Sequence, residues 1–133
     1  MEEYMSYNIW AVLLATFAYM AIGSFWYSPL LFGKVWMREL SITEKDLTDP
    51  KEAMLGALVT TFLSANILEV LLIISHSENA LDGLWIGTLV GLVIGAVFAT
   101  NSFFERKSWR LYLITIGYHF VAFLLMGSIL GGW

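Results

Sequence analysis

Two ionisable side chains stand inside long apolar runs of this sequence, Glu69 and His119. A charged group is expensive in hydrocarbon, so an acid or an imidazole found there is a functional candidate by default. Asn66 lies one turn before Glu69 and His76 two turns after, and helical spacing puts the three on one face. His119 has Thr115 and Tyr112 stacked on its own face and Tyr118 beside it. Thr16, Tyr19, Gly23 and Tyr27 form a comparable stripe in the first apolar run, and Asn101 falls level with Trp26 and Tyr27 in the third. Groups of this kind suit a path for protons or a small polar solute. At 1.5 Å per residue, Glu69 sits about 10 Å closer to the outer face than His119. A direct pair is therefore not expected, and a relay between them needs Asn66, Tyr19 or water. Plainer roles compete. His119 can hold a carbonyl or a tyrosine hydroxyl to fix helix packing, and Glu69 can be an uncharged acid or a partner of His76.

Other chemistry is excluded or disfavoured. The chain has no cysteine, which removes disulfides, thiolate metal sites and cysteine nucleophiles. Its two histidines fall at different depths, so bis-histidine ligation of a haem within one chain is not expected, and no cofactor or metal is read from the sequence. Hydrolysis needs a nucleophile with an oriented base or a metal, and neither arrangement is visible; the chain does not read as an enzyme. Nor does it read as a nucleic-acid binder, because seven Lys and Arg on short segments make no basic stripe.

The elements that must position these residues are membrane helices. Of the 133 residues, 59% are hydrophobic and 14% charged, against about half and a quarter in soluble domains. The acidic start at Glu2 and Glu3, and the length of the uncharged run that follows, do not suit a cleaved signal peptide. Four spans are expected, at about 8–28, 50–75, 83–104 and 109–130, with Trp10, Trp26, Tyr27 and Trp133 at the interfaces. Between the first two, Ser28 and Pro29 read as a helix start. They would open a short amphipathic helix over 29–40, with Trp36 on its apolar face and Lys34 and Arg38 on the other. A plain extension of the first helix is the alternative. Ser28, Pro29, Lys34, Trp36, Arg38 and Trp26 together read as an interfacial anchor, the cations meeting anionic headgroups. The stretch 41–49 is aqueous and has room for one helical turn starting at Ser41 or Thr43. Asp49, Pro50 and Glu52 then repeat the start signal, with Asp49 as N-cap.

The third span carries a row of glycines at every fourth position, Gly83, Gly87, Gly91 and Gly95, and the fourth ends with Gly127 and Gly131. In water each would cost about 1 kcal/mol relative to alanine. In a bilayer such a row lets another backbone approach closely. A phosphate-cradling role is not supported, since no strand precedes the row. These faces predict association, either into a homo-oligomer or with a larger membrane complex.

Orientation follows from charge. All seven Lys and Arg lie in two loops, Lys34, Arg38, Lys45 and Lys51 in the first and Arg106, Lys107 and Arg110 in the third. Both loops fall on one side of a four-span chain. The positive-inside rule makes that side cytoplasmic, with both termini outside the inner membrane.

Particular stretches carry a family likeness: Gly23-Ser-Phe-Trp-Tyr-Ser-Pro-Leu-Leu-Phe-Gly-Lys-Val-Trp-Met37, Asn101-Ser-Phe-Phe-Glu-Arg106, Gly117-Tyr-His119 and Met126-Gly-Ser-Ile-Leu-Gly-Gly-Trp133. Over nearly its whole length the chain resembles the small bacterial membrane proteins of domain of unknown function 1761. The resemblance implies four membrane helices and brings no activity, substrate or cofactor with it. The fold expected is thus all-α, an integral membrane bundle of four transmembrane helices with one interfacial helix. The leading functional reading is a small self-associating channel or transporter. An accessory subunit packing through its glycines, or a module binding a lipophilic ligand, are the alternatives.

Overall fold

The computed structural model describes residues 6–46 and 50–133. Four long helices run up and down: α1 (Ile9–Trp26), α3 (Lys51–Ile74), α4 (Ala80–Glu105) and α5 (Trp109–Gly132), with a short α2 (Gly33–Leu40) after the first. All four long helices are apolar and long enough to cross a membrane. Between 22% and 33% of each span is buried within the chain, so much of these apolar surfaces faces outward, as bilayer contact requires. Trp10, Phe17, Leu63 and Val93 are among the exposed side chains.

Polar caps define several ends. The Asn8 side chain accepts from the N–H groups of Trp10 and Ala11 at 3.0 and 3.3 Å and starts α1. Asn79 accepts from Asp82 at 2.9 Å and starts α4 three residues before the apolar run begins. Ser108 accepts from Leu111 at 3.1 Å and starts α5. Helices α2 and α4 end on residues in the left-handed conformation, Ser41 and Arg106, which lets the terminal carbonyls be capped without a glycine.

Two expected starts differ. Ser28 and Pro29 do not cap α2: the Ser28 hydroxyl donates back to Phe25 O at 2.7 Å, and the chain turns through residues 27–32 before α2 begins at Gly33. The turn is closed by backbone bonds from Phe32 to Trp26 O and from Gly33 to Ser28 O. A Cβ on Gly33 would collide with the Tyr27 carbonyl, so the tightness of that turn explains both the late start and the glycine. At the second start Pro50 precedes the first helical residue rather than occupying it. Asp49, like Glu2 and Glu3, lies outside the described residues. The aqueous loop holds one turn of 3-10 helix, Glu44–Asp46, capped where Asp46 accepts from the Thr43 N–H at 2.7 Å.

Helix α5 is central. It packs along α4, along α1 and, less extensively, against α3, while α1 also packs on α3. Its α4 face is a glycine seam. A Cβ on Gly83 would strike the Gly127 carbonyl, one on Gly87 the Phe123 carbonyl, and one on Gly127 the Gly83 carbonyl. Gly131 meets Asn79 and Gly83. Further along the pair opens, and Gly91 and Gly95 face the Phe120 and Ile116 side chains. The glycine row is therefore filled by a neighbour within the same chain, and it is not a free face for a partner. On the other side, Val12, Ala15, Ala65, Leu68, Leu72, Ala122 and Met126 form a close-packed core between α1, α3 and α5.

Candidate functional site: an aromatic cluster around His119

His119 is placed by α5 so that its ring faces α1, where Tyr19 meets it. The Tyr19 hydroxyl and His119 Nδ1 share a hydrogen bond across the helix pair. The Phe98 ring from α4 stacks on the imidazole, with centroids 5.6 Å apart and 15° between planes. Tyr118 fills the next position: its ring lies edge-on to Tyr19 at 5.2 Å and to Tyr27 at 5.5 Å, and its hydroxyl donates to Tyr19 O at 3.3 Å. Phe123 closes the side away from the basic loops, against Tyr19 at 5.7 Å. Edge-to-face pairs of this kind each add about 0.5–1.5 kcal/mol beyond burial.

Small residues make this approach possible. A Cβ on Gly23 would lie 2.7 Å from the Tyr118 hydroxyl oxygen, and one on Gly117 would lie 2.9 Å from the Trp26 indole. Trp26 Nε1 donates to Ile114 O at 2.9 Å. Trp26 is thus tied into the bundle rather than set out as a lipid anchor, because its N–H finds a carbonyl that Gly117 leaves open. Trp36 from α2 likewise turns inward, edge-on to Tyr27 at 5.2 Å. Lys34 and Arg38 remain on the exposed side of α2.

Towards the basic end the cluster meets a cavity of about 220 Å³. Trp36, Phe98, Ser102, Lys107, Tyr112 and Thr115 contribute to its walls. Phe98 and Trp36 belong to both cavity and cluster: Phe98 is the residue stacked on His119, and Trp36 lies edge-on to Tyr27. At the rim Lys107 pairs with Glu105 at 2.8 Å. Glu39 of α2 accepts from the Ser108 hydroxyl at 2.7 Å and lies 3.9 Å from Arg110, fixing α2 over the start of α5.

The other polar candidates are elsewhere. Glu69 is fully buried beside the start of α1, where its Oε2 accepts from the Asn8 N–H at 3.4 Å. Asn66, one turn before it, accepts from the Tyr7 hydroxyl and donates to Phe62 O at 2.8 Å. Asn8 and Tyr19 are eleven positions apart on the chain, about 16 Å along α1. Glu69 and His119 therefore occupy two separate sites. His76 follows α3 in the turn before α4, exposed and in the left-handed conformation, so the shared face expected for Asn66, Glu69 and His76 ends where the helix does. Asn101 sits on the exposed face of α4 instead of joining the polar interior, because the side of α4 turned to α5 runs through Gly91 and Gly95.

Sequence reasoning passed over Phe98, Ser102, Lys107, Tyr7 and Asn8. Phe98 is seven residues after Gly91 and so on its face, and Asn8 is an N-cap type just before an apolar run; both signals were present. Tyr7, Ser102 and Lys107 carry none as site residues.

Four apolar spans with a partnered polar cluster and a cavity at one end define an integral membrane protein with a buried polar site. The chain belongs to the family described as protein of unknown function (DUF1761), whose model matches residues 10–131. No curated protein and no solved structure matches it.

Proposed function

We propose that this protein is a membrane-embedded binding module for a small molecule with a flat apolar body and a polar, preferably anionic, group. The observation that carries this reading is the sharing of Phe98 and Trp36 between the cavity at the basic end and the His119 cluster. A cavity of about 220 Å³ is below the ~300–1,000 Å³ of sites for drug-sized ligands, so a single ring with one polar substituent matches it. Trp36 and Phe98 offer aromatic walls, Ser102 and Thr115 offer hydroxyls, and Lys107, shared with Glu105 at the rim, offers a cation. The cluster behind them favours binding over catalysis, since His119 is met by a tyrosine hydroxyl and aromatic rings, with no nucleophile or second acid beside it. We place the basic end in the cytoplasm and both termini outside the inner membrane, on the charge asymmetry of the loops.

Transport of protons or a small solute is the second reading, favoured by the intramembrane Glu69 and His119. It has the packed core of Val12, Ala15, Ala65, Leu68 and Leu72 between the two sites against it, and a passage would require those side chains to part. Self-association would use the outward faces of the spans, because the glycine row is occupied.

The test is native mass spectrometry of the protein released from its own membrane. The expected result is a reproducible non-protein mass on the wild type that Ser102→Trp removes by filling the cavity. A bare wild type, or an adduct indifferent to Ser102→Trp in a folded protein, would overturn the reading.

A further inference from the structure

At the end of the bundle away from the basic loops, one acid stands where water does not reach. We infer that Glu69 is a proton-binding site, and that the bound proton keeps the entry of α1 closed on α3. The carboxyl is 0% exposed. Among the described residues its Oε2 has a single long contact, the Asn8 N–H at 3.4 Å, and its Oε1 is buried with no hydrogen-bond partner. Removing a carboxylate from water is costly, and the cost is offset only when good donors satisfy both oxygens. One stretched N–H does not do so. The geometry is that of a carboxylic acid.

Among the described residues no other charge offsets it. In α3 there is no ionisable side chain over 53–68 or 70–74, and α5 has none over 120–132. Helix α4 has none over 83–104, and α1 has none before Tyr19. Among the described residues Tyr7 is the titratable group beside the site, and its hydroxyl is committed to Asn66. Asp82 in the outer turn accepts from the Glu78 N–H at 2.9 Å, while His76 and Glu78 lie exposed beyond the helix end. Tyr7 with Asn66, and Asn8 with Glu69, form two adjacent links between the start of α1 and successive turns of α3. Loss of the proton leaves a carboxylate that needs water, and water reaches it only if those links part. Proton binding and closure are therefore one equilibrium, independent of the ligand site about 16 Å away along α1.

The experiment uses dicyclohexylcarbodiimide, an apolar reagent that reacts with protonated carboxyls. It takes up the acid's proton while the carboxyl oxygen bonds its central carbon; the O-acylisourea then rearranges to an N-acylurea, and nothing leaves. Peptide mapping should place the adduct on Glu69, with a yield that falls as pH rises, and Glu69→Gln should carry none there. Closure is read separately. The chain has no cysteine, so Ala11→Cys, at a fully buried position near the links, provides a single thiol. Its rate with a membrane-impermeant maleimide, divided by the rate in the Glu69→Gln background, should rise at least tenfold from acid to alkaline pH. The ratio cancels the thiol's own ionisation. Absence of a Glu69 adduct at every pH in folded protein, or a ratio that stays flat, would overturn the inference.

Discussion

Helix α5 presents two unlike faces to its neighbours. Towards α4 it offers Gly127 and Gly131, and the two backbones approach until carbonyl oxygens lie where a Cβ would be. Towards α1 it offers Tyr118 and His119, and contact is made by rings and hydroxyls reaching across to Tyr19, Tyr27 and Gly23. In a bilayer, apolar side chains gain little by leaving lipid for protein. Association then depends either on closeness, which the glycines supply, or on polar groups whose alternative is hydrocarbon. The first face has almost no freedom to vary. The second stores chemistry, because each ring and hydroxyl there has a function other than filling space.

Breaking the glycine seam should have the largest effect. Gly127→Leu puts a side chain into the Gly83 carbonyl and the Gly87 backbone, which cannot rotate away. A cost at or above the ~3 kcal/mol upper range for overpacking is expected, seen as loss of cooperative thermal unfolding in mild detergent. On the opposite face, His119→Ala removes the Tyr19 partner and the surface on which Phe98 stacks. A loss of roughly 2 kcal/mol is expected, from a membrane hydrogen bond of ~0.6–1.7 kcal/mol plus ring packing of ~0.5–1.5. Tyr19→Phe keeps the rings and should cost only about 1 kcal/mol. If the two substitutions cost the same, the cluster is held by the hydrogen bond alone and the stacking contributes nothing.

Ser108→Ala sharpens the contrast at the basic end, where one hydroxyl caps α5 and donates to Glu39. About 1 kcal/mol should be lost, with α2 becoming more accessible to protease. The smallest effect belongs to Gly56→Ala. No atom lies within 4 Å of the added methyl, so the change should be neutral or stabilising by up to about 1 kcal/mol through helix propensity. Destabilisation there would mean that an unseen partner covers that face of α3.

How much of this was legible beforehand varies by level. The spans were read to within a few residues because twenty apolar positions in a row have few other uses. The starts of α2 and α4 differ from the sequence expectation: the tight turn at Gly33 overrules the Ser-Pro signal, and the polar first turn after Asn79 has the composition of a loop. Within the site, Tyr19 and His119 were each marked as polar residues in apolar runs, but nothing local joins residues 100 positions apart.

The sequence alone determined that this is a four-span, all-α chain with its basic loops at one end, because hydrophobic length and charge placement act residue by residue. Only the tertiary structure decided which faces meet. It matched glycine to glycine, gave His119 to Tyr19 rather than to Glu69, and left one oxygen of Glu69 without a partner. Those outcomes depend on the rotation and depth of each helix against α5, which are set by side-chain fit across the bundle.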